Sequence, residues 1–367
     1  MKPLKIAVIP GDGIGIEVMD EALKVIEVLK TLDPNLQIEN TVFPWNSEYY
    51  LTHGEMMPKD GLTTLQQYDA ILFGAIGDKR VPDEVTIWEL IMPIRKQFQQ
   101  YVNFRPVKSL PGIASPLSRR KNIDFVIYRE NAEGEYSNSG GRMFNGEQRE
   151  LAVQNTVMTR TGIESLVRAA CEYAVEHSKT KITSATKSNV IFHSMKLWDE
   201  HTSAIVNNEY PQLTLESYYI DALVAYFVER PESFEVVVAS NLFGDILSDL
   251  GSALVGGLGL SPSANINPEG QYPSMFEPVH GSAPDIAGKG IANPIAQIWS
   301  LALMLDHLGR KDLAKIIVDS IVLVLQKGDV KTADIGGTSS TKQMGDAICE
   351  QMKKLVSNGM ERSHEIV

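Results

Sequence analysis

Short β-branched and aliphatic runs alternate with longer stretches of helical periodicity over most of the chain, and no other feature restricts the fold so strongly. Strands are predicted at Lys5–Ile9, Ala70–Phe73, Phe125–Tyr128, Lys181–Ala185 and Glu235–Ala239. Ile14 to about Leu29 carries apolar residues at helical spacing, and a further helix is predicted from Gln297 to Leu308. Alternation of this kind predicts an α/β protein with a largely parallel sheet. Gly, Asn and Ser gather between Ser137 and Gly146, which suits a loop or projecting arm, and a Gly/Pro/Ser-rich zone runs from Gly256 to about Gly290. There is no internal repeat and no low-complexity tract.

The 367 residues are enough for two domains or one large α/β unit. With 34 Lys plus Arg against 46 Asp plus Glu, the net charge is −12. That argues against nucleic-acid or anionic-membrane partners, for which a basic face supplies most of the affinity. A few clustered arginines could still take an anionic small molecule. Cys171 and Cys349 fit neither a metal-ligand spacing nor a disulfide framework, so a reducing, cytoplasmic setting is expected. The apolar run Ile6–Ile9 is too short for a signal-peptide core and reads as a first strand. No uncharged run approaches the ~20 residues needed to span a bilayer. The longest candidate, Ile316 to Leu325, contains Asp319 and reads as a core helix, so a soluble chain is expected.

Gly11-Asp12-Gly13-Ile14-Gly15 follows a strand and opens a helix, as a dinucleotide phosphate loop would. Its spacing is G-x-G-x-G, however, with the third glycine one residue early. The better reading is a tight strand-to-helix turn in which Gly accepts positive φ.

Several residues could carry chemistry. In Ser240-Asn241-Leu242-Phe243-Gly244-Asp245-Ile246-Leu247-Ser248-Asp249-Leu250, Asp245 and Asp249 are four apart, so their carboxylates share a helical face. Ile246, Leu247 and Leu250 can cover the buried side. Two such carboxylates suit a hard divalent cation. They equally suit a solvated first helical turn, where negative charge is favoured. Arg95, Arg105 and Arg129 could converge on a dicarboxylate through bidentate guanidinium contacts, or could be unrelated surface residues. Lys187 and Tyr136 could shuttle protons or serve structure alone. Asp221 could cap the apolar helix that it opens. The stretch Phe276–Pro294 is rich in glycine and short polar groups, and could wrap a nucleotide or form an ordered surface loop.

Taken together, these segments resemble the β-decarboxylating dehydrogenases, the isocitrate/isopropylmalate dehydrogenase family. The resemblance runs from PGDGIG at Pro10 to GGT at Gly336, through NFRPVK from Asn103, RENAEGEY from Arg129, TKSN from Thr186, NLFGDILSDL from Asn241 and FEPVHGSAPDIAGKGIANP from Phe276. It implies an α/β fold that is not a Rossmann fold: two α/β domains around a shared central sheet region, with an arm for dimerisation at about 137–158. The implied domains are a discontinuous cofactor-binding one, residues 1–103 plus 257–367, and a central one, residues 104–256. It further implies a homodimer with shared active sites. Asp245 and Asp249, with Asp221 from the other subunit, would bind Mg²⁺ or Mn²⁺, which chelates the substrate carboxylate and hydroxyl, and K⁺ is a further candidate activator. Arg95, Arg105 and Arg129 would hold the substrate carboxylates. Lys187, again from the other subunit, would take the hydroxyl proton, and Tyr136 would protonate the enol left after CO₂ departs. His280, Gly281, Ser282, Ala283, Asp285, Ile286 and Asn293 would bind the cofactor. Asp285 can bond ribose hydroxyls and repel a 2′-phosphate, which implies NAD.

The substrate is expected to be set mainly by Trp88, Ile91 and Met92, ahead of Arg95. Isocitrate enzymes place Ser and Asn where this chain has Glu89 and Ile91, so a third carboxylate is disfavoured. Isopropylmalate enzymes carry Glu at the Trp88 position and two leucines at Ile91 and Met92. Trp88, with the RENAEGEYS and TSATKSN runs, looks more like the tartrate/D-malate branch. The resemblance thus implies NAD-dependent oxidative decarboxylation of D-malate or tartrate, with 3-isopropylmalate the next candidate. A non-catalytic regulatory subunit would lack one of the acidic trio, Lys187 or Tyr136, and all are present. A metal-dependent hydrolase would have no use for the His280–Asn293 loop.

Overall fold

The computed structural model describes residues 3–117 and 122–364, with side chains to residue 357. The described strands, in chain order, are β1 (Leu4–Gly11), β2 (Ile38–Val42), β3 (Ala70–Ala75), β4 (Val102–Lys108), β5 (Asp124–Glu130), β6 (Gly140–Met143), β7 (Leu151–Gln154), β8 (Lys181–Thr186), β9 (Thr214–Tyr219), β10 (Val236–Ala239), β11 (Pro262–Ile266) and β12 (Ser274–Pro278). The chain divides into two compact units. The first holds residues 3–98, 109–117 and 252–364, and the second holds 99–108 and 122–251. Both chain ends therefore build the first unit. Its boundaries differ from those drawn on the sequence at 103/104 and 256/257, because residues 99–103 enter β4 while residues 109–117 return to the first unit.

In the first unit β1 lies between β2 and β3, and β12 extends the sheet beside β3, all parallel; β11 then pairs antiparallel with β12. Ile6, Ala7, Val8 and Ile9 are fully buried, as a strand covered on both faces requires. Ala7 and Ile9 of β1, Ile71 and Phe73 of β3 and Met275 of β12 point to one face, against Leu90, Ile94 and Phe98. The helices Ile14–Leu32 and Ile295–His307 pack on the sheet, with Lys311–Lys327 and Thr341–His364 stacked on them. The Ile316–Leu325 run is thus the middle of a core helix. No described helix is long and apolar enough to cross a membrane.

In the second unit β5, β10, β8 and β9 follow one another in parallel, and β4 pairs antiparallel with β5. The residues expected to form a loop or arm make a hairpin, β6 with β7, and every residue of both strands is exposed. Cys171 and Cys349 are free and buried, and burial pushes their thiols up to about 12 and about 11, which makes both poor nucleophiles.

Candidate active site

The glycine cluster at the end of β1 is explained by the chain's own backbone. Gly11 and Gly13 have φ of 74° and 56°, and a Cβ on either would lie 1.8 Å from Ala75 O or 2.1 Å from Ser282 O. The Ile14 amide, at the helix start where a phosphate loop would bind, donates to Ser282 O at 2.8 Å. Buried Asp12 organises the turn: its carboxylate accepts from Ser47 N (2.9 Å), Ser47 Oγ (2.6 Å) and Gly77 N (2.9 Å).

Five of the expected site residues meet in the second unit. Asp245 and Asp249 lie on the helix Asn241–Leu254, which begins directly after β10. They therefore occupy its second and third turns, and the first-turn dipole account of the acidic pair does not apply. Arg129, at the end of β5, crosses this helix at Gly244, where a Cβ would come within 2.5 Å of Arg129 Cγ. Its guanidinium donates to Asn241 Oδ1 from Nε (3.1 Å) and Nη2 (2.8 Å), while Nη1 contacts Asp245 Oδ1. Tyr136 donates its hydroxyl to Asp245 Oδ2 at 3.1 Å. Arg105 Nη1 lies 3.5 Å from Asp245 Oδ1 and 3.7 Å from Asp249 Oδ1, and it donates to Ser248 Oγ at 2.5 Å. Both arginines are buried, whereas the Asp249 side chain is 61% exposed. Two hard oxygen donors beside an open face fit a divalent cation that needs more ligands than this pair supplies.

Burial, and then the Asp245 carboxylate, raise the Tyr136 phenol above its ordinary value and keep it protonated. Burial, against the opposing pull of Arg105, raises Asp249. Lys187 and Asp221 form a separate ion pair in this unit, Nζ to Oδ1 at 2.5 Å, which lowers Asp221. Asp221 is not the cap of its helix: that helix begins at Ile220, and Asp221 sits in its first turn. Among the described residues no group of three or more His, Cys, Asp or Glu could hold a metal ion, so Asp221 does not join Asp245 and Asp249 within one chain. Ile246 does not cover the buried side of its helix as the sequence suggested, being 50% exposed, whereas Leu247 is fully buried.

The other expected residues belong to the first unit. Arg95 Nη2 pairs with Glu277 Oε1 at 2.8 Å, and Asn265 Nδ2 donates to the same oxygen at 2.7 Å. Trp88 and Ile91 lie on a π-helical turn, Ile87–Ile91, closed by the Met92 amide reaching back five residues to Ile87 O. Pro93 has no N–H with which to restore the usual ladder there. Trp88 carries Lys96 Nζ 4.9 Å above its ring. Met92 is buried, so only Trp88 and Ile91 keep part of their surface.

The His280–Asn293 segment is held along its length. Ile286, Ala283 and Ala287 pack on Ile14 and Val18. The Glu17 carboxylate accepts from the amides of Gly288 and Gly290, the second at 3.0 Å. Asn293 Nδ2 donates to Asp334 at 3.0 Å. His280 Nδ1 lies 3.0 Å from Gly281 O, and burial lowers this imidazole's pKa, so it is neutral. Its buried Nε2 has no partner among the described residues, leaving an acceptor for a ligand N–H or O–H. Ser282, Ala283 and Pro284 face Gly77, Lys79 and Pro82 across a groove of about 590 Å³. A preformed groove with a buried, unused acceptor beside its wall fits a nucleotide cofactor.

Sequence reasoning missed Asp12, Asn241, Ser248, Glu277 and Asn103, whose Oδ1 accepts from Arg105 Nε at 2.6 Å, as partners that fix the site. Asn103, Asn241, Ser248 and Glu277 lie inside motifs quoted above, but a motif does not tell which of its polar residues faces the site.

The family model described as isocitrate/isopropylmalate dehydrogenase matches residues 5–348. Tartrate dehydrogenase/decarboxylase of Pseudomonas putida is 49% identical over 96% of this chain and 98% of its own length. D-malate dehydrogenase [decarboxylating] of Escherichia coli K12 is 48% identical over 95% of this chain and 99% of its own. The crystal structure of isocitrate dehydrogenase from Methylococcus capsulatus superposes with a TM-score of 0.87 at 34% identity, over 95% of this chain and 99% of the other. Agreement over nearly the whole length, in sequence and in fold, establishes that the chain is an enzyme of the isocitrate/isopropylmalate dehydrogenase family, in the decarboxylating group of tartrate and D-malate dehydrogenases.

Proposed function

We propose that this enzyme oxidises and decarboxylates a small 2-hydroxy dicarboxylate, D-malate or tartrate, using NAD and a divalent cation. The observation that carries the proposal is the cluster of Arg105, Arg129, Tyr136, Asp245 and Asp249 in the second unit. Two buried guanidiniums beside an open face bind and orient carboxylates. Arg95 is proposed as a third guanidinium for the substrate on the strength of the family resemblance. Asp245 and Asp249, with the partner subunit's Asp221, would hold Mg²⁺ or Mn²⁺. When bound, the cation supplies Lewis-acid polarisation of the substrate's C2 oxygen. The nicotinamide, when bound, is the hydride acceptor.

Lys187, contributed to the partner's site, takes the proton from the C2 hydroxyl. With C2 a ketone, the bond to the β-carboxylate breaks, CO₂ leaves and the electron pair remains as an enolate. Tyr136, kept as a neutral phenol by its burial and by Asp245, delivers the proton to C3. Asp285 would accept hydrogen bonds from the ribose hydroxyls.

The exposed hairpin β6–β7 supports a homodimer. A lone two-stranded ribbon is marginal in water, and this one displays Met143, Phe144, Leu151 and Val153, each 39% exposed or more. Exposed Glu89 and apolar Ile91 favour a C4 acid over isocitrate. The apolar surface of Ile91 keeps 3-isopropylmalate as the second reading, since apolar discrimination is worth only about 1–3 kcal/mol per methylene. NADH formation with Mn²⁺ and each of D-malate, L-tartrate, 3-isopropylmalate and isocitrate tests the assignment. D-malate or tartrate is expected to give the highest kcat/KM. A tenfold advantage for 3-isopropylmalate would replace the substrate, and no NADH with any of the four would overturn the function.

A further inference from the structure

Asp285 follows Pro284, the last residue on its side of the groove, and it is not alone there. Lys79 Nζ lies 3.2 Å from its Oδ1, and both side chains are among the most exposed of any ion pair here, at 77% and 88%. Such a pair contributes little to stability and is readily rearranged. Its two members are nevertheless placed by pinned turns. On one side Gly77 N is held by Asp12, Val81 is buried and donates its amide to Asp78 O, and Arg80 is tied to Asp78 and Glu48. Gly77, Asp78 and Val81 of that turn line the groove as well, and Lys79 is the one cationic residue among the groove's described lining. On the other side Ala283 and Ile286 are packed on Ile14 and Val18, and the Ile286 amide closes a turn onto Ala283 O, so Asp285 projects between anchored neighbours.

We infer that Lys79 is a cofactor-specificity residue that moderates the discrimination set by Asp285. The inference rests on the reading of Asp285 as the ribose-binding carboxylate. A lone carboxylate offers ribose hydroxyls an acceptor and repels a 2′-phosphate. With the Lys79 ammonium beside it, the same place is close to neutral. A free 2′-hydroxyl must then compete with Lys79 for the carboxylate, and a 2′-phosphate gains a cation within reach. Lys79 therefore weakens the preference for NAD over NADP, and does so through charge, so the effect shrinks as salt screens it.

The test is calorimetric binding of NAD and of NADP to the whole enzyme and its Lys79→Met, Asp285→Asn and doubly substituted variants, at low and high salt. Lys79→Met should raise the ratio of Kd for NADP to Kd for NAD about fivefold to tenfold at low salt, and less at high salt. Asp285→Asn should lower that ratio, and the lowering should be larger when Lys79 is already Met, because the carboxylate it removes is then unmoderated. If Asp285→Asn lowers the ratio while Lys79→Met moves it less than twofold, Lys79 has no such role and the reading of Asp285 stands. If Asp285→Asn leaves the ratio unchanged, that reading fails and takes this inference with it. Unchanged thermal midpoints in all variants are expected, since both side chains stand in solvent.

Discussion

Gly244 shows how one missing side chain positions a site. Arg129 reaches Asn241 and Asp245 only because nothing projects from the helix where it crosses, and a Cβ there would meet Arg129 Cγ at 2.5 Å and Cβ at 2.6 Å. Gly244→Ala is expected to displace the guanidinium and lower kcat/KM by roughly 10²-fold, as an ångström-scale misplacement does. Normal kinetics in this variant would mean that Arg129 holds no substrate. The neighbouring Glu130 is buried, and its carboxyl is pushed up to about 7, chiefly by burial and against the amides of Ala132 and Glu133 that donate to it. The folded chain therefore binds this proton more tightly than the unfolded chain, in which the pKa returns to about 4.5. Stability from this group is complete below pH 4.5 and is lost as pH rises through 7, by on the order of 3 kcal/mol. Urea unfolding at stepped pH should show that slope, and Glu130→Gln should flatten it. An unchanged slope would assign the pH dependence elsewhere. At this scale the sequence was legible where geometry is local: the four-residue spacing of Asp245 and Asp249 specifies a shared face. It was silent on Glu277 as the partner of Arg95, because nothing local relates residues so far apart along the chain.

Strands were legible where burial came with an unbroken apolar run; β11 and β12 are buried too, but Ser263, Asn265, Ser274 and Glu277 interrupt their runs. The five expected strands all form, within a residue or two at each end, because a strand covered on both faces leaves a continuous apolar run. The strand Thr214–Tyr219 escaped notice, since its residues are half-exposed and polar, and the hairpin strands lack any apolar pattern facing a core. The π-helical turn at Ile87–Ile91 also left no signal, because its register comes from a single backbone bond beside Pro93. The segment from His280 to Asn293 depends on a clamp that is testable. Glu17 receives the amides of Gly288 and Gly290, and glutamine has one carbonyl oxygen where glutamate has two acceptors. Glu17→Gln should weaken NAD binding about tenfold, the loss typical of one charge-assisted hydrogen bond. Calorimetry would detect it, and an unchanged Kd would show that the Ile286 packing alone holds the segment.

For the whole molecule the shared-site proposal makes a sharper demand than activity alone. Asp245→Asn and Lys187→Met should each lower turnover by orders of magnitude as homodimers. When the two are co-expressed, a mixed dimer should regain one intact site, pairing Asp245 of one subunit with Lys187 of the other. Random pairing should restore about a quarter of the activity per chain, because half the dimers are mixed and each holds one working site of two. No recovery would place Lys187 and Asp245 in the same subunit's site.

The return of β12 to pair with β3, Ser274 against Ala70, also fixes an order of events during synthesis. Strands β1 to β3 leave the ribosome early, yet the neighbour that covers β3 is made only after the entire second unit has emerged. Residues 122–251 can close while the first unit still waits with an open edge, and such an edge invites pairing with other nascent chains. Masking of the first hundred residues until the carboxyl-terminal third is translated would protect that edge from such pairing.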